Sequence, residues 1–328
     1  MRVDRRKALI LAASALAGPA AFRKSAEAAV ASASVQAAVD RFAELNGTSS
    51  CLVVAGYPDA TWQAAYKPDA RLFIASAFKT FVLAEFMRQV EAGRLSETTQ
   101  ETIDDTVRTQ GSAVFLNLAG TTTARSVLEA MITHSDNTAT DITLAAVRPD
   151  QVRDLIAKAG LTQTQIPDST RRLVSYLIGA PDGVDIGWVG EQEFDAGKTF
   201  GEPRPAINDK QSMASTANEM VHWYQQVLSG ALFTKPQTLV EYKRIQAMAD
   251  ALAPIMPPNT LAYGKGGSID LQGFHARCLA GQMFATGVPI TFCATINWTG
   301  DDGTVGPTFQ SFLVALANVL QEAANAAG

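Results

Sequence analysis

The sequence predicts an α/β fold of the α+β type, in which an antiparallel sheet flanked by helices carries an inserted all-helical lobe. Two observations support this prediction: strand-like runs occur near both ends of the chain, and the middle is mainly helical. Strands from both ends that surround a helical middle indicate one sheet with an inserted lobe. We therefore expect a sheet lobe formed by residues 33–70 and 214–328, a helical lobe formed by 71–213, and a site in the cleft between them.

The elements follow in order along the chain. "ASVQAAVDRFAELNG" is typical of an amphipathic helix that stops at Gly47, and the runs "SCLVVAGY" and "TWQAAY" predict two strands joined by a turn. From Ser76 to about Gly230 the pattern is mainly helical, except for the irregular stretch "PDGVDIGWVGEQEFDAGKTFGEPRPAINDK". Three strand-like runs follow, "NTLAYGKGGS", "HARCLAGQMFAT" and "PITFCATINW", and a helix over "GPTFQSFLVALANVLQEAANA" ends the chain.

Residues 1–32 have the composition of an export signal. "MRVDRRKALILAASALAGPAAF" combines a charged start containing Arg5 and Arg6, a short apolar run and small residues. The apolar run is short for a bilayer span, although a frayed helix or an uncleaved anchor stays open, and no later segment has the pattern of a span. We expect a periplasmic or secreted protein, exported by a twin-arginine-like signal, with its catalytic domain over residues 33–328 and no membrane span in the mature chain.

Composition excludes several classes of function. The net charge of −5 and the pI near 5.3 argue against a nucleic-acid partner. The three cysteines lie in strand-like runs, which favours buried thiols over a disulfide framework, and the three histidines are scattered without ligand spacing. We expect a monomer that binds a small-molecule substrate and requires no cofactor or metal. The residues concerned are Cys51, Cys278, Cys293, His134, His222 and His275.

A lysine lies in an apolar helix one turn after a serine. In "LFIASAFKTF", Ser76 opens the predicted helix and Lys79 follows at i+3, so the two side chains share one helix face. A buried lysine is costly unless it is paired or loses its proton. A desolvated amine could take the proton of the serine hydroxyl and so activate a nucleophile. The alternative, that Ser76 is only an N-cap, explains the serine but not the lysine.

Two further stretches are candidates for the same site. In "THSDNTATDITL", Ser135-Asp136-Asn137 lies between two predicted helices, where Asp136 and Asn137 could equally be helix caps. In "YGKGGS", Lys265 lies on a predicted strand before two glycines. That lysine could bind a carboxylate as a point charge, with glycines that let a substrate approach the strand closely, or it could belong to an ordinary turn.

Together these motifs resemble those of class A β-lactamases and penicillin-binding proteins. The motifs are Ser76-Ala77-Phe78-Lys79, Ser135-Asp136-Asn137 and Lys265-Gly266-Gly267. The resemblance implies a β-lactamase/transpeptidase-like fold and acyl transfer through a covalent serine intermediate. It covers nearly the whole chain after the export signal.

The resemblance also implies a role for each site residue. Ser76 would be the nucleophile, Lys79 its general base or proton relay, and Ser135 the donor to the leaving atom. Asn137 would bind the amide side chain of the substrate, Lys265 would bind its carboxylate, and the backbone N–H groups of Ser76 and Ser268 would form the oxyanion hole. Gly267 and Arg277 complete the implied substrate-binding set, with Arg277 either assisting Lys265 or serving as a sheet-end arginine.

Two departures from the family pattern affect the prediction. Gly266 replaces the threonine of the K-T-G motif, and Ser268 could supply a hydroxyl instead. The glutamate that activates the deacylating water in class A enzymes is missing: Thr170 or Arg171 stands at its place, and Asp168 is the only carboxylate close by. We therefore expect slow release of the acyl-enzyme formed from β-lactams, with Asp168 or no residue as base.

Three functions fit these observations. The first is an exported serine hydrolase of the class A β-lactamase-like type that acts on β-lactams or related amides and esters. The second is a DD-peptidase or an esterase-type penicillin-binding enzyme. The third is a non-catalytic receptor that β-lactams acylate, although the chain lacks a receptor-like membrane helix.

Overall fold

The computed structural model describes residues 33–327. The predicted export signal therefore lies outside the described residues. Within them, the strands at the two ends of the chain join in one sheet of five antiparallel strands. Their order across the sheet is β2 (Trp62–Tyr66), β1 (Thr48–Ala55), β9 (Val288–Thr299), β8 (Phe274–Ala285) and β7 (Leu261–Leu271). The predicted α+β fold is confirmed.

Three of these strands, β1, β8 and β9, are buried along nearly their whole length. Strands with this pattern are covered on both faces. Helix α8 (Ala217–Ser229) and helix α10 (Val305–Ala327) both pack on them, and Phe312 of α10 meets Phe42 of α1 (residues 33–43) edge to face. The sheet is thus the middle layer of a sandwich of helices.

The helical lobe lies between two short strands, β3 (Leu72–Phe73) and β6 (Ala214–Ser215), which pair with each other. A second pair, β4 (Gln100–Ile103) and β5 (Gly120–Thr123), lies inside the lobe. The pairing of β3 with β6 brings the chain back to the sheet beside the point where it left. The helices of the lobe are α2 (Lys79–Glu91), α3 (Ala124–Thr133), α4 (Asn137–Val147), α5 (Pro149–Lys158), α6 (Thr170–Leu177) and α7 (Gly187–Asp195).

Two helices differ from the sequence prediction. Helix α7 forms inside the stretch predicted to be irregular, and α9 (Pro236–Gln246) forms where no element is predicted. At the start of α7 the carboxylate of Asp185 accepts from the backbone N–H of Gly187. Within the helix, Glu191 is buried and accepts from the hydroxyl of Thr109. Tertiary contacts of this kind stabilise short helices whose own sequence signal is weak.

Helix α10 differs from the expectation that no later segment resembles a membrane span. By length and composition, Asp302–Ala327 could cross a bilayer, with a mean hydropathy of 1.2 over its most apolar window. In this fold one of its faces is buried in the core through Phe312, Leu316 and Leu320. An apolar helix that packs on a sheet can have the same length and mean hydropathy as a membrane span.

Candidate active site

Ser76 lies in a 3-10 turn, Ala75–Phe78, that leads directly into α2. The N-cap position of this turn is Ile74, and no side chain caps it, so the N-cap alternative for Ser76 is wrong. The preceding residue, Ala75, has φ of 46°, a left-handed conformation that is strained for a residue with a Cβ. The turn holds Ser76 partly exposed at the junction of the two lobes.

Strand β7 passes directly against this turn. A Cβ added to Gly267 would lie 2.2 Å from the backbone oxygen of Ile74 and 2.7 Å from the backbone nitrogen of Ser76. Only glycine permits such an approach of two backbone segments. The contact brings the third motif to the backbone N–H of the predicted nucleophile, as an oxyanion hole requires.

Lys79 is fully buried in the first turn of α2. Its Nζ donates to the backbone oxygen of Ser135 at 2.5 Å and to Oδ1 of Asn137 at 2.8 Å, and it lies 3.3 Å from Oγ of Ser135. Burial, and then the charge of Lys265, holds the pKa of Lys79 well below its ordinary value. The predicted placement of Lys79 is confirmed: it lies beside Ser135, and no carboxylate from the loop around Asp168 contacts it.

Ser135, Asp136 and Asn137 have separate tasks at the start of α4. Ser135 has φ of 59°, a conformation that directs both its hydroxyl and its carbonyl towards Lys79. Asp136 caps α4 by accepting from the backbone N–H of Ala139, while its other oxygen accepts from the N–H groups of residues 114 and 115. Asn137 accepts from Lys79 and donates to the backbone oxygen of Gln110 at 2.9 Å. Only Asp136 is therefore a cap in the way the alternative interpretation requires.

Lys265 is buried on β7, and its Nζ donates to the backbone oxygen of Gly266 at 2.9 Å. Burial lowers the pKa of Lys265 to about 8. Together with Ser135, Gly267 and Ser268, it lines a cavity of about 170 Å³. A buried cation without a carboxylate hydrogen-bond partner is a suitable binding group for an anionic ligand.

Arg277 also lines this cavity but already has an acidic partner. Its Nη2 lies 2.8 Å from Oδ2 of Asp270 and its Nη1 lies 3.1 Å from Oδ1, while its plane lies against Trp298 and Phe309. The predicted assistance to Lys265 therefore competes with an existing ion pair. That role stays a prediction.

The loop at the place of the family glutamate donates hydrogen bonds to a different carboxylate, that of Asp141 in α4. Thr170 is buried, and its N–H and hydroxyl donate to Oδ1 of Asp141, while the N–H of Arg171 donates to Oδ2. Burial raises the pKa of Asp141 to about 6, although the hydrogen bonds from Thr170 and Arg171 oppose the shift. Lys79 and Asp141 influence each other electrostatically. Sequence reasoning did not identify Asp141, because only the fold brings it to this loop.

Asp168 already has three side-chain partners, and its role as the base stays a prediction. It forms ion pairs with Arg153 at 2.6 Å and with Arg172 at 3.3 Å, and Gln211 donates to its Oδ2 at 2.7 Å. Burial opposes ionisation of Asp168, but the hydrogen bonds from Arg153 and Gln211 prevail and lower its pKa. These contacts make Asp168 a structural anchor of the loop.

A second carboxylate that sequence reasoning missed is Glu191 of α7. It is buried, and it accepts from Oγ1 of Thr109 at 2.8 Å and from the backbone N–H of Gln110 at 2.9 Å. Burial raises the pKa of Glu191 to about 7, partly offset by these two hydrogen bonds. Glu191 thus fixes the residue whose carbonyl orients Asn137.

The site therefore combines a partly exposed serine, a buried amine of lowered pKa and a second serine beside that amine. The model of the Beta-lactamase enzyme family matches residues 33–296. The chain belongs to this β-lactamase enzyme family. The resemblance inferred from the three motifs is thereby confirmed at the level of the family, while the role of each site residue stays a prediction.

Solved structures of β-lactamases and of PBP-A share the fold. A β-lactamase from Chitinophaga pinensis has a TM-score of 0.69 at 15% identity, over 90% of this chain and 100% of that one. A β-lactamase from Xanthomonas campestris has a TM-score of 0.66 at 17% identity, over 90% and 98%. PBP-A has a TM-score of 0.67 at 14% identity, over 88% and 94%. No curated protein sequence matches the chain. At such identities the similarity establishes the fold and leaves the substrate open.

Proposed function

We propose that this β-lactamase-family chain is a serine hydrolase that acts through an acyl-enzyme on β-lactams or on related amides and esters. The observation that carries the proposal is the contact of buried Lys79 with Ser135 and Asn137, with no carboxylate hydrogen-bond partner in residues 33–327. A lysine in this setting reaches neutrality at a lower pH than a free lysine, and a neutral amine accepts a proton.

The proposed reaction begins at Ser76. Its Oγ attacks the substrate carbonyl while its proton passes to Lys79, and the carbonyl oxygen becomes an oxyanion bound by the backbone N–H groups of Ser76 and Ser268. When the bond from the carbonyl carbon to the leaving nitrogen or oxygen breaks, Lys79 returns the proton to the leaving atom through the hydroxyl of Ser135. Lys265 binds an anionic group of the substrate. Water then attacks the ester on Ser76, which releases the acid and restores the serine.

A second candidate, a DD-peptidase or an esterase-type penicillin-binding enzyme, is supported by the contacts of the loop at residues 168–171. Thr170 donates to Asp141 where class A enzymes have the water-activating glutamate, and Asp168 is held by two arginines. A general base typically contributes about 10²–10⁴-fold to such a step. Without one, penicillins would acylate Ser76 and leave slowly, whereas an unstrained ester could turn over. The third candidate, a covalent receptor, requires acylation without any turnover.

Intact-mass spectrometry distinguishes these functions. The protein is incubated separately with a penicillin and with a chromogenic ester, and the mass of the protein and the release of product are followed together. We expect one covalent adduct on the wild type and none on Ser76→Ala. The control variant Ser311→Ala, which replaces an exposed serine of α10, should carry the adduct like the wild type. An adduct that forms equally on Ser76→Ala would refute the proposal. Release of both acyl groups favours the hydrolase, release of the ester alone favours the second candidate, and release of neither favours the receptor.

We also propose that residues 1–32 direct export, because a charged segment containing Arg5 and Arg6 precedes a short apolar run. Cell fractionation of the full chain tests this point. Paired replacement of Arg5 and Arg6 by lysine should retain the protein in the cytoplasm, and an unchanged periplasmic or secreted fraction would contradict a twin-arginine signal.

A further inference from the structure

We propose that the cavity between β7 and α10 binds a single aromatic ring carried by the leaving part of an anionic substrate. This inference rests on the proposed acyl transfer at Ser76. It narrows the substrate class from amides and esters in general to those whose leaving group carries both a negative charge and an aryl or similarly sized apolar group.

The cavity opens from the predicted catalytic groups towards α10. Successive side chains of a strand point to opposite faces, but β7 is the edge strand of the sheet, so one cavity reaches all of residues 265–268. Their partners on β8 include Leu279, opposite Gly266, and Arg277, opposite Ser268. The same cavity is lined by Ser135 and Lys265 and by Phe309, Phe312 and Leu313 of α10.

Gly266 does not itself open this space. Where the K-T-G motif places a threonine, a Cβ on Gly266 would lie 2.5 Å from Cβ of Ala251, so the turn at residues 250–252 fills the place of a side chain. The lining of the cavity is mixed and combines apolar residues, such as Leu279 and Phe312, with the charged groups of Lys265 and Arg277. A ligand that is both apolar and anionic therefore suits it.

The volume and the lining fit an aromatic ring. The cavity measures about 170 Å³, and an apolar cavity of about 150 Å³ lined by leucine, isoleucine and phenylalanine stays dry and binds benzene. Phe309 is 42% exposed, which is unusual for so large an apolar side chain, and it lies at this cavity. A bound ring would cover it.

The charges around the cavity fix where the anion lies. Arg277 is already paired with Asp270, whereas Asp250, which also lines the cavity and lies 3.2 Å from Nδ1 of His134, interacts electrostatically with Lys265. Among the described residues, Nζ of Lys265 donates to the backbone oxygen of Gly266 and to no carboxylate. An anionic group at Lys265 would therefore sit beside Ser135, the proposed donor to the leaving atom, and a ring attached to the same leaving group would extend towards Leu279 and Leu313.

Two esters of the same acyl group test the proposal: one releases lactate and the other releases phenyllactate, so that both leaving groups carry a carboxylate and only one carries a ring. Burying a phenyl group should favour the phenyllactate ester by about 10–100-fold in kcat/KM. Leu313→Trp, which fills the cavity, should bring this ratio close to one. Val314→Trp, at a position that is 52% exposed on the outer side of the same helix, should leave the ratio unchanged.

Binding of the two free acids to Ser76→Ala provides a readout that needs no turnover. Phenyllactate should bind at least about 10-fold more tightly than lactate, and Phe309→Ala, at a half-exposed position that tolerates truncation, should reduce that ratio severalfold even if Leu313→Trp does not fold. Equal affinity of the two acids, or a preference that survives both Leu313→Trp and Phe309→Ala, overturns the subsite. If neither ester acylates Ser76 while phenyllactate binds selectively, the proposed function fails and the subsite stands.

Discussion

Nζ of Lys79 lies 2.8 Å from Oδ1 of Asn137, and among the described residues no carboxylate is a hydrogen-bond partner of this amine. The amine is therefore bound by neutral acceptors. These favour the protonated form of the lysine less strongly than the carboxylate of an ion pair would. Its lowered pKa follows from burial first and from the charge of Lys265 second. The protonation state of Lys79 should therefore affect both the stability of the protein and the proposed reaction.

Lys79→Met should remove a pH dependence of stability as well as acylation. The pKa of Lys79 in the folded protein is below its usual 10.5, so between the two values the unfolded chain binds more protons and the wild type gains stability as pH rises. The unfolding free energy of the variant minus that of the wild type should thus be largest at low pH and should decrease towards pH 10.5. Chemical denaturation across pH measures this.

An exposed lysine of α5 supplies the control for that experiment. Lys158→Met should give a stability curve parallel to that of the wild type, because its side chain remains in water. If the curves of Lys79→Met and the wild type are parallel too, the amine is not desolvated in solution.

Glu191→Gln should alter both stability and activity near neutral pH. The pKa of Glu191 is raised from 4.5 to about 7, so between these values the folded state binds more protons, and wild-type stability falls as pH rises through that window. The variant should lack this fall. Arg171 and Asp141 also face Glu191, but both remain in the variant.

The activity of Glu191→Gln should fall by about 10-fold, because its amide nitrogen cannot accept from the N–H of Gln110 and an unsatisfied buried donor costs about 1–3 kcal/mol. The loss should be largest above pH 7, where the wild-type carboxylate is ionised. Glu193→Gln, at an exposed position of the same helix that forms an ion pair with Lys198, is the matched control. Equal pH profiles for both variants would show that Glu191 does not position the loop.

Gly267→Ala should reduce acylation by at least about 100-fold, the lower end of the cost of losing an oxyanion-hole donor. The new methyl group would lie 2.7 Å from the backbone nitrogen of Ser76, so strand and turn must move apart. Gly306→Ala, where an added Cβ meets nothing within 4 Å, should be silent. Wild-type acylation rates for Gly267→Ala would mean that β7 does not support the reacting carbonyl.

Asp168→Asn should leave the release of an acyl group from Ser76 unchanged and lower the stability by about 1 kcal/mol, the upper range for a partly exposed ion pair. The reason is that Arg153, Arg172 and Gln211 already occupy its carboxylate. Single-turnover release kinetics and thermal unfolding separate the two effects. A variant of normal stability with much slower release would identify Asp168 as the base after all.

The sequence predicts the parts of the site that depend on local spacing. The separation of Ser76 and Lys79 by one helical turn, the helix start after Ser135 and the strand at Lys265 are all local patterns, and the structure brings Lys79, Ser135 and Asn137 into contact. The sheet, too, follows from strand-like runs at both ends of the chain.

The remaining features depend on contacts between distant segments. Asp141 meets Thr170 and Glu191 meets Thr109 only because α4, α6 and α7 pack around one loop, and no sequence spacing relates these pairs. Helix α7 is itself stabilised by such contacts, because its sequence, GWVGEQEFD, contains two glycines and gives a weak helix signal. A buried carboxylate with a raised pKa is therefore visible only in the folded chain.

Time-resolved acylation by a penicillin tests the central claim most directly. Rapid mixing with intact-mass detection should show a burst of one acyl group on Ser76, followed by slow release that limits turnover, and Ser76→Ala should show neither phase. Rapid steady-state hydrolysis without a burst, in a protein that carries no adduct, would contradict the account, because it would require a water-activating base that Thr170 and Asp141 do not provide.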